Sequence, residues 1–545
     1  MVDGGRTAVS TAERHLVHSH AHEGSIPGTV NVQVVEGDDT ALGQALFPVP
    51  PQDPNHCLNW PAWKKQIILF ICCAYSFLGN AFLVGPSPYI TLYSELFDVT
   101  PAQASGLISY PNLAFGFGSL ILVPLYLKFG RRPVMLGSML FFVVGIIGAS
   151  QANDFTGLMV ARVFASFGSG ICEAIPVQLV NDIFFLHERG RQIALYSFAI
   201  CLGAVAPVAS SHLLIEPYSW RLFFYVILAF ASALLVLAFL FVEETSYDRS
   251  AHQATVPAPS GAYHSESGEK ASQDNLEHTL EPIPMRTPFM QTLSLKGRYD
   301  PEVRFFMTMV TSFTYFLVPQ VLWVITSFGI YIGLGAFVFN YTAPIKLTGP
   351  PYNWSEESSG LIALATLIGF VLAVPFAPSS DLLAARLTRR NNGIREAEMR
   401  LPVMLPAMVI APLGLVLYGL TCQFNLHYIG YFFGAAMTQW SAYFFFSFAL
   451  AYAVDSYNTD TAQMLIAMNI GKQAISFGLS VNVLDWVLET GYAVVISGIF
   501  AAVLVANNLV LVVFLIWGKK IRQIMAGSWL AKLHGRNVQN ERQVV

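Results

Sequence analysis

Charge is what this 545-residue chain has least of: Asp, Glu, Lys and Arg together make up 12% of it, against about a quarter in an ordinary soluble protein. With hydrophobic residues at 54% and a mean hydropathy of +0.52, a water-soluble globule is excluded. The formal net charge is -4. With no basic domain and no interleaving of aromatic and basic residues, nucleic acid has nothing to bind. No GxxxxGK[ST] phosphate loop is present, so ATP is not the energy source by that route, and no cofactor is implied. The six cysteines are scattered without CxxC spacing. Cys72, Cys73, Cys172 and Cys201 lie in apolar runs and read as buried thiols rather than metal ligands. No nucleophile and base stand at plausible spacing in the polar segments, which argues against an enzyme. The polar stretch 1–61 lacks the basic start and apolar core of a secretory signal. His15, His18, His20 and His22 within it form a histidine-rich tail with no second ligand set, so no metal site is expected.

What is present is a series of about twelve apolar spans. They fall near 66–90, 104–126, 133–151, 157–181, 192–213, 220–242, 306–341, 358–378, 402–422, 428–453, 462–485 and 491–517. The seventh is too long for one crossing and is expected to begin with an interfacial segment. Residues 243–302 are rich in Ser, Pro, His and Glu and poor in large apolar residues, a composition that cannot bury a core. The expected organisation is therefore an all-α membrane protein of two six-helix bundles. It comprises a disordered tail (1–61), a first bundle (62–242), a largely disordered linker (243–302), a second bundle (303–517) and a C-terminal tail (518–545).

Basic residues sort the connections into two sets. Lys128, Arg131 and Arg132 follow span 2, Arg189 and Arg191 follow span 4, and six more bases lie in or beside the linker. Arg386, Arg389, Arg390, Arg395 and Arg400 follow span 8, and Lys519, Lys520 and Arg522 follow span 12. Connections after spans 1, 3, 5, 9 and 11 carry no Lys or Arg, and the one after span 7 carries Lys346 alone. Positive charge stays on the cytoplasmic side, so both termini are expected there. Asn353-Trp354-Ser355 then falls outside, where a glycosylation acceptor must lie.

Charges inside the apolar runs are the candidate machinery. Such residues cost roughly 2.5 to 3.5 kcal/mol on insertion scales and generally face protein or a water-filled cavity. Glu173, in span 4, can carry a proton or meet a cation, since low dielectric disfavours a bare carboxylate; a structural carboxylate satisfied by a neighbouring helix is the competing reading. Lys472 sits about 15 Å of helical rise into span 11. It can bind an anionic group, pair with Glu173 across a cavity, or snorkel to the interface. Arg162 can tune proton release from Glu173, but at about 16 Å along a helix the two do not touch, and a bond to backbone carbonyls is an equal alternative.

Several motifs resemble the Major Facilitator Superfamily, over nearly the whole chain. Lys128-Phe129-Gly130-Arg131-Arg132-Pro133 is similar to the family's signature between its second and third helices, with Leu127 where an acid is usual. Arg162 with Gly168 and Gly170 resembles its fourth-helix motif, and Ala206-Pro207 with Ser210 and Ser211 its fifth-helix antiporter motif. Trp220-Arg221 matches the start of its sixth helix. Asp53-Pro54-Asn55, Asp182-Ile183-Phe184-Phe185, Arg389-Arg390-Asn391 and Asp455-Ser456-Tyr457 look like a fungal subgroup of drug:proton antiporters and polyamine-permease-like carriers. The resemblance implies a proton-coupled carrier of small organic molecules working by alternating access, monomeric and in the plasma membrane, with protons and lipid as its other partners. It implies cavity contacts from helices 1, 4, 7 and 10: Asn80, Glu173, Tyr331, Asn340, Gln439, Trp440 and Tyr443, with Lys472 from helix 11. It further implies gating roles for Lys128, Gly130, Arg131, Arg132, Pro207, Asp381, Arg389 and Arg390. Lipid-headgroup attraction would account for the same bases without a gate, and interhelical hydrogen bonding for the same polar groups. Export of an amphipathic drug or secondary metabolite is the expected function; uptake of polyamines or other organic cations is the alternative. A transporter-like nutrient receptor ranks below both, because the tail after Trp517 is short.

Overall fold

In the computed structural model, the described residues are 22–23, 26, 28–31, 57–214, 220–245, 294, 297, 299–301, 303–456 and 461–534. His15, His18, His20, Asp53-Pro54-Asn55, Tyr457 and most of the expected tails and linker lie outside them.

Eleven helices among the described residues are long and apolar enough to cross a bilayer. They are α1 (Ala62–Leu96), α2 (Pro101–Phe129), α3 (Arg131–Gln151), α4 (Phe155–Ile183), α5 (Arg191–His212) and α6 (Arg221–Phe241), then α7 (Pro319–Thr348), α8 (Ile362–Arg390) and α9 (Ala397–Phe424). The tenth expected span forms α10, Ile429–Ser456, helical without a gap through a π-helical segment at Phe445–Ala449. Its Gln439, Trp440, Tyr443 and Tyr452 make it less apolar than the eleven. The series ends with α11 (Ala462–Thr490) and α12 (Ala493–Ala526). The long seventh apolar stretch divides as its length requires, into a short apolar helix at Phe305–Leu317 and then α7. Helices α8, α9 and α12 extend beyond their hydropathy limits. Hydropathy detects the lipid-buried part of a helix, whereas backbone hydrogen bonding continues into the polar zone. Arg386, Arg389 and Arg390 consequently sit on the last turns of α8 rather than in a loop.

Local chemistry sets the boundaries. Thr100 caps α2 through a reciprocal capping box with Gln103 and is followed by Pro101 at the first helical position, the preferred arrangement. Asp154 accepts from the Gly157 amide at 2.9 Å and starts α4. Gly130, at φ +92°, makes the tight turn between α2 and α3, a conformation that side chains with a Cβ rarely adopt. Large apolar side chains such as Phe70, Phe230 and Ile516 are 69%, 62% and 64% exposed, an outward face suited to lipid and costly in water.

Small residues let the helices approach. At the α2–α4 crossing a Cβ on Gly170 would lie 2.8 Å from the Gly118 Cα, and at α9–α10 a Cβ on Gly434 would lie 2.6 Å from the Gly414 carbonyl oxygen. Helices in lipid associate by such close packing, because lipid tails give no hydrophobic drive between them.

Part of the tail expected to be disordered is ordered. β1 (His22–Glu23) and β2 (Thr29–Asn31) form a small antiparallel sheet with β3 (Ile394–Glu396), between α8 and α9. Val30 lies opposite Arg395 in the register, and Thr29 Oγ1 donates to Glu396 at 2.8 Å. At the other terminus, beyond α12, His534 stacks on Tyr315 with ring centroids 4.1 Å apart, and its Nε2 bonds Thr314 Oγ1 at 2.7 Å.

Two outcomes follow from this packing. Gly170→Val should destabilise the protein by about 1 to 3 kcal/mol, the usual cost of overpacking, read as a lower thermal midpoint in detergent. Gly137→Ala, where nothing lies within 4 Å, should leave the midpoint in place. Burial pushes the His534 imidazole down to about 4, so the folded state holds it neutral. Its contribution is then fully present above the unfolded value of about 6.5 and is lost as pH falls through the folded value. Hydrogen exchange at 528–534 should rise across that window, and in His534→Phe it should not.

Candidate functional site

Three prolines lead to the site. A proline has no N–H, so the carbonyl four residues before it loses its helical donor. In α1, Pro86 leaves the Phe82 carbonyl open, and Arg162 Nη2 fills it at 3.1 Å while also bonding Leu83 O at 2.9 Å. In α4, Pro176 leaves the Cys172 carbonyl open, and Ser76 Oγ of α1 donates to it at 2.5 Å. In α9, Pro412 does the same to Met408 O, which accepts from Asn508 Nδ2 at 3.2 Å. Non-helical backbone is tolerated at membrane depth only where protein satisfies it in this way.

The break in α4 has a chemical consequence. Its first helical segment ends at Ser169 and the second begins at Ala174, with Glu173 as the N-terminal cap residue of the second. The Glu173 carbonyl accepts from Tyr196 Oη of α5 at 2.7 Å. Its carboxylate therefore stands at a half-helix N-terminus, where the peptide dipoles favour negative charge. Asn80 Nδ2 of α1 lies 3.3 Å from one carboxylate oxygen, and the Lys472 ammonium of α11 pairs with the other. Both partners are almost fully buried, at 2% and 4% exposure. Lys472 Nζ also lies 5.6 Å from the centroid of the Phe328 ring in α7.

This pair lines one side of a cavity between the helices. Asn80, Asn112, Tyr196, Ser197, Gln439 and Gln473 supply its polar groups. Its apolar wall includes Phe328, Tyr331, Phe337, Phe370 and Phe446. Phe337 belongs to a π-helical segment of α7 at Gly333–Val338, and Phe446 to the one in α10. Such bulges re-aim side chains and recur at functional sites. Beyond the cavity α2 meets α7 and α11, where Ser109 Oγ lies 3.2 Å from Tyr341 Oη and 3.3 Å from Ser480 Oγ. Tyr443 Oη donates to Ala194 O at 3.4 Å, joining α10 to α5.

Of the sequence-predicted contacts, Asn80, Glu173, Tyr331, Gln439 and Lys472 line the cavity. The structure does not bring the others to it. Asn340 Nδ2 bonds the Gly335 carbonyl at 3.4 Å, Trp440 packs on Phe376 and Phe444, and Tyr443 spans to α5. Arg162 likewise reaches the α1 carbonyls and the Phe82 and Phe224 rings, not Glu173. Sequence reasoning passed over Asn112, Tyr196, Ser197 and Gln473. Each is a polar residue in an apolar run, the signal that did find Asn80 and Gln439.

Apart from Pro207, the expected gating residues lie in or beside two clusters at the end carrying the basic connections. Arg131 pairs with Asp182 of α4, and the Arg131 and Arg132 amides donate to the two Glu244 oxygens at 3.0 and 3.1 Å. Lys128 lies over the Tyr299 ring, 5.7 Å from its centroid. In the second cluster Asp381 meets Arg400 at 2.5 Å, and Arg400 meets Asp455 at 2.7 Å. Arg400, rather than Arg389 or Arg390, holds that centre; those two side chains are exposed. Beside it Arg522 pairs with Glu396 and Glu398, and Lys519 meets Glu396 at 2.6 Å. Burial alone would raise the Glu396 carboxyl, but Lys519, Arg522 and Thr29 hold it below the usual carboxylate range. Pro207 is buried at the opposite end, where 206–212 packs against 356–361 ahead of α8. Asn353 is exposed, at φ +50° in the turn between α7 and α8.

Comparison with known proteins gives concordant results. The family model described as Major Facilitator Superfamily matches residues 69–481. The MFS transporter cpaT of Aspergillus oryzae is 28% identical over 486 residues, covering 87% of this chain and 90% of that protein. The multidrug transporter TPO1_2 of Candida glabrata is 26% identical, covering 87% and 78%, and the efflux pump FUBT of Fusarium oxysporum is 25% identical, covering 83% and 72%. Among solved structures, the proton:xylose symporter XylE aligns with a TM-score of 0.54 at 14% identity, over 84% of this chain and 97% of that one. The human organic anion transporter MFSD10 aligns with the same TM-score and identity, over 83% and 100%. At such identity these two show the shared fold.

The Arg162 contacts generate a test. Arg162→Met should lower stability by about 1 to 3 kcal/mol, the cost of buried carbonyls left unsatisfied, seen in thermal unfolding. The pH profile of any ligand bound in the cavity should stay as it is. An unchanged melting midpoint with a shifted pH profile would instead give Arg162 the proton-tuning role.

Proposed function

Because the chain belongs to the Major Facilitator Superfamily, and so is a multi-pass membrane transporter and not an enzyme, we propose that it exports an amphipathic organic molecule by proton-coupled alternating access. The observation that carries this reading is the Glu173–Lys472 pair, which ties α4 to α11 inside an apolar, aromatic-walled cavity. A buried ion pair adds little to stability that well-packed apolar residues would not, and its place in the cavity wall suits it to exchange of its partners. Similarity to proteins named as a multidrug transporter and an efflux pump supports export over uptake.

In this reading residues 62–242 and 303–517 are two bundles that rock about the cavity, joined by a cytoplasmic linker. The basic end faces the cytoplasm and carries both termini, the membrane is the plasma membrane, and the protein works as a monomer. Arg131–Asp182 on one bundle and Asp381–Arg400–Asp455 on the other brace the inner gate, while Pro207 against the segment before α8 serves the outer one. Asn353, exposed beyond α7, is the glycosylation acceptor. Uptake of an organic cation is the second reading, favoured by the single carboxylate in the cavity.

Proteoliposomes with an imposed pH gradient decide between them, using rhodamine 6G as the amphipathic probe. Glu173→Gln should reduce gradient-driven flux by about tenfold or more, the scale expected when a group that acts in the rate-limiting cycle is removed. Gradient-driven flux as fast as in the unaltered protein would take Glu173 out of the mechanism, and flux in the proton's own direction would replace export by uptake.

A further inference from the structure

The ammonium of Lys472 occupies the place that a cationic cargo would take. It sits on the cavity carboxylate of Glu173 and against the Phe328 ring face, the two contacts by which an acidic, aromatic pocket recognises an organic cation. We propose that Lys472 is a built-in competitor for a cationic cargo, and that the proton exchanged in the cycle is carried on Lys472 Nζ. The inference rests on the proton-coupled transport reading and names its cargo class, an organic cation, and its proton carrier.

The surroundings leave little alternative. Among the described residues around the pair, the titratable groups are Cys172 beside Glu173, Tyr196 and Cys201 of α5, Cys73 of α1 and Tyr331 of α7. All are neutral groups, so Glu173 is the counter-charge for whatever cation is present. Asn112 and Gln473 on the neighbouring wall are amides. When an organic cation takes the carboxylate, Lys472 is left as a second cation facing a single anion in low dielectric, which is strongly unfavourable. Relief comes by proton loss. One N–H bond of the ammonium breaks, its electron pair stays on Nζ, and the proton passes to water. The products are a cation on Glu173 and a neutral amine at Lys472, with the net charge of the cavity unchanged. Reprotonation from the other side restores the ammonium, which displaces the cargo and reforms the pair observed here. One cation therefore exchanges for one proton, and the carboxylate remains ionised throughout.

The test uses tetraphenylphosphonium, a permanent cation with no proton to give, and the full chain in weakly buffered detergent containing a pH indicator. The expected result is release of close to one proton per bound cation, with affinity rising about tenfold per pH unit, the limit for one-for-one exchange. Lys472→Arg, whose guanidinium stays charged, should bind the probe more weakly and release nothing. Lys472→Gln leaves the buried Glu173 carboxyl to take up a proton in place of its lost partner, so a carboxylic C=O absorption should be lost in the infrared difference spectrum when the probe binds that variant and be absent from that of the unaltered chain. Proton release from Lys472→Arg equal to that of the unaltered chain, loss of a carboxylic absorption on binding to the unaltered chain, binding to the unaltered chain without release, or no binding of the probe would each overturn the inference. Export and this inference fail separately. Gradient-driven rhodamine 6G flux that survives in Lys472→Gln leaves export standing without this carrier, whereas the predicted binding behaviour with no flux in the unaltered chain leaves the exchange standing without export.

Discussion

One buried ion pair organises this molecule. Glu173 and Lys472 are 299 positions apart in the chain, and their contact is the point at which the first six helices and the last six share a charge. In low dielectric neither group is tolerable alone, and among the described residues few others hold them: an amide from Asn80, the face of Phe328 and the N-terminal end of the second α4 segment.

The rest of the interior serves to deliver these two groups. Glu173 points into the cavity because α4 breaks, and α4 breaks because Pro176 cannot donate to Cys172 O. Ser76 of α1 then satisfies the freed carbonyl, and Tyr196 of α5 bonds the Glu173 carbonyl beside it. Arg162 follows the same rule one helix away, at the carbonyl that Pro86 abandons. An arginine that looks like a second active charge is, in its contacts, a hydrogen-bond donor to main chain. The π-helical segments of α7 and α10 complete the cavity by turning Phe337 and Phe446 onto its wall.

The basic end is built differently, from multiple ion pairs with several partners each. Arg400 spans Asp381 and Asp455, and Arg522 spans Glu396 and Glu398. Thr29, more than three hundred residues upstream, enters the same cluster through a strand of the N-terminal segment. Such networks are satisfied on several sides and hold helix ends in register. In the first half Arg131 meets Asp182, Glu244 and Thr245.

What the chain's own order of residues determined was the set of helices and the positions of their misfit groups. Hydropathy is local, so twelve apolar runs, the basic connections and the two ionisable residues Glu173 and Lys472 could be read without any knowledge of packing. Even the division of the seventh stretch followed from its length. Which misfits meet was decided only in three dimensions, because partnership depends on helix rotation and on where each helix breaks. Asn340, Trp440 and Tyr443 looked as eligible as Gln439, yet they bond or pack elsewhere, on Gly335 O, on Phe376 and Phe444, and on Ala194 O. Arg389 and Arg390 looked like the second basic cluster, but they lie on the outward face of α8 while Arg400, one helix later, reaches the acids. A proline announces an orphaned carbonyl in the sequence; the donor that rescues it comes from another helix, and no linear pattern specifies which.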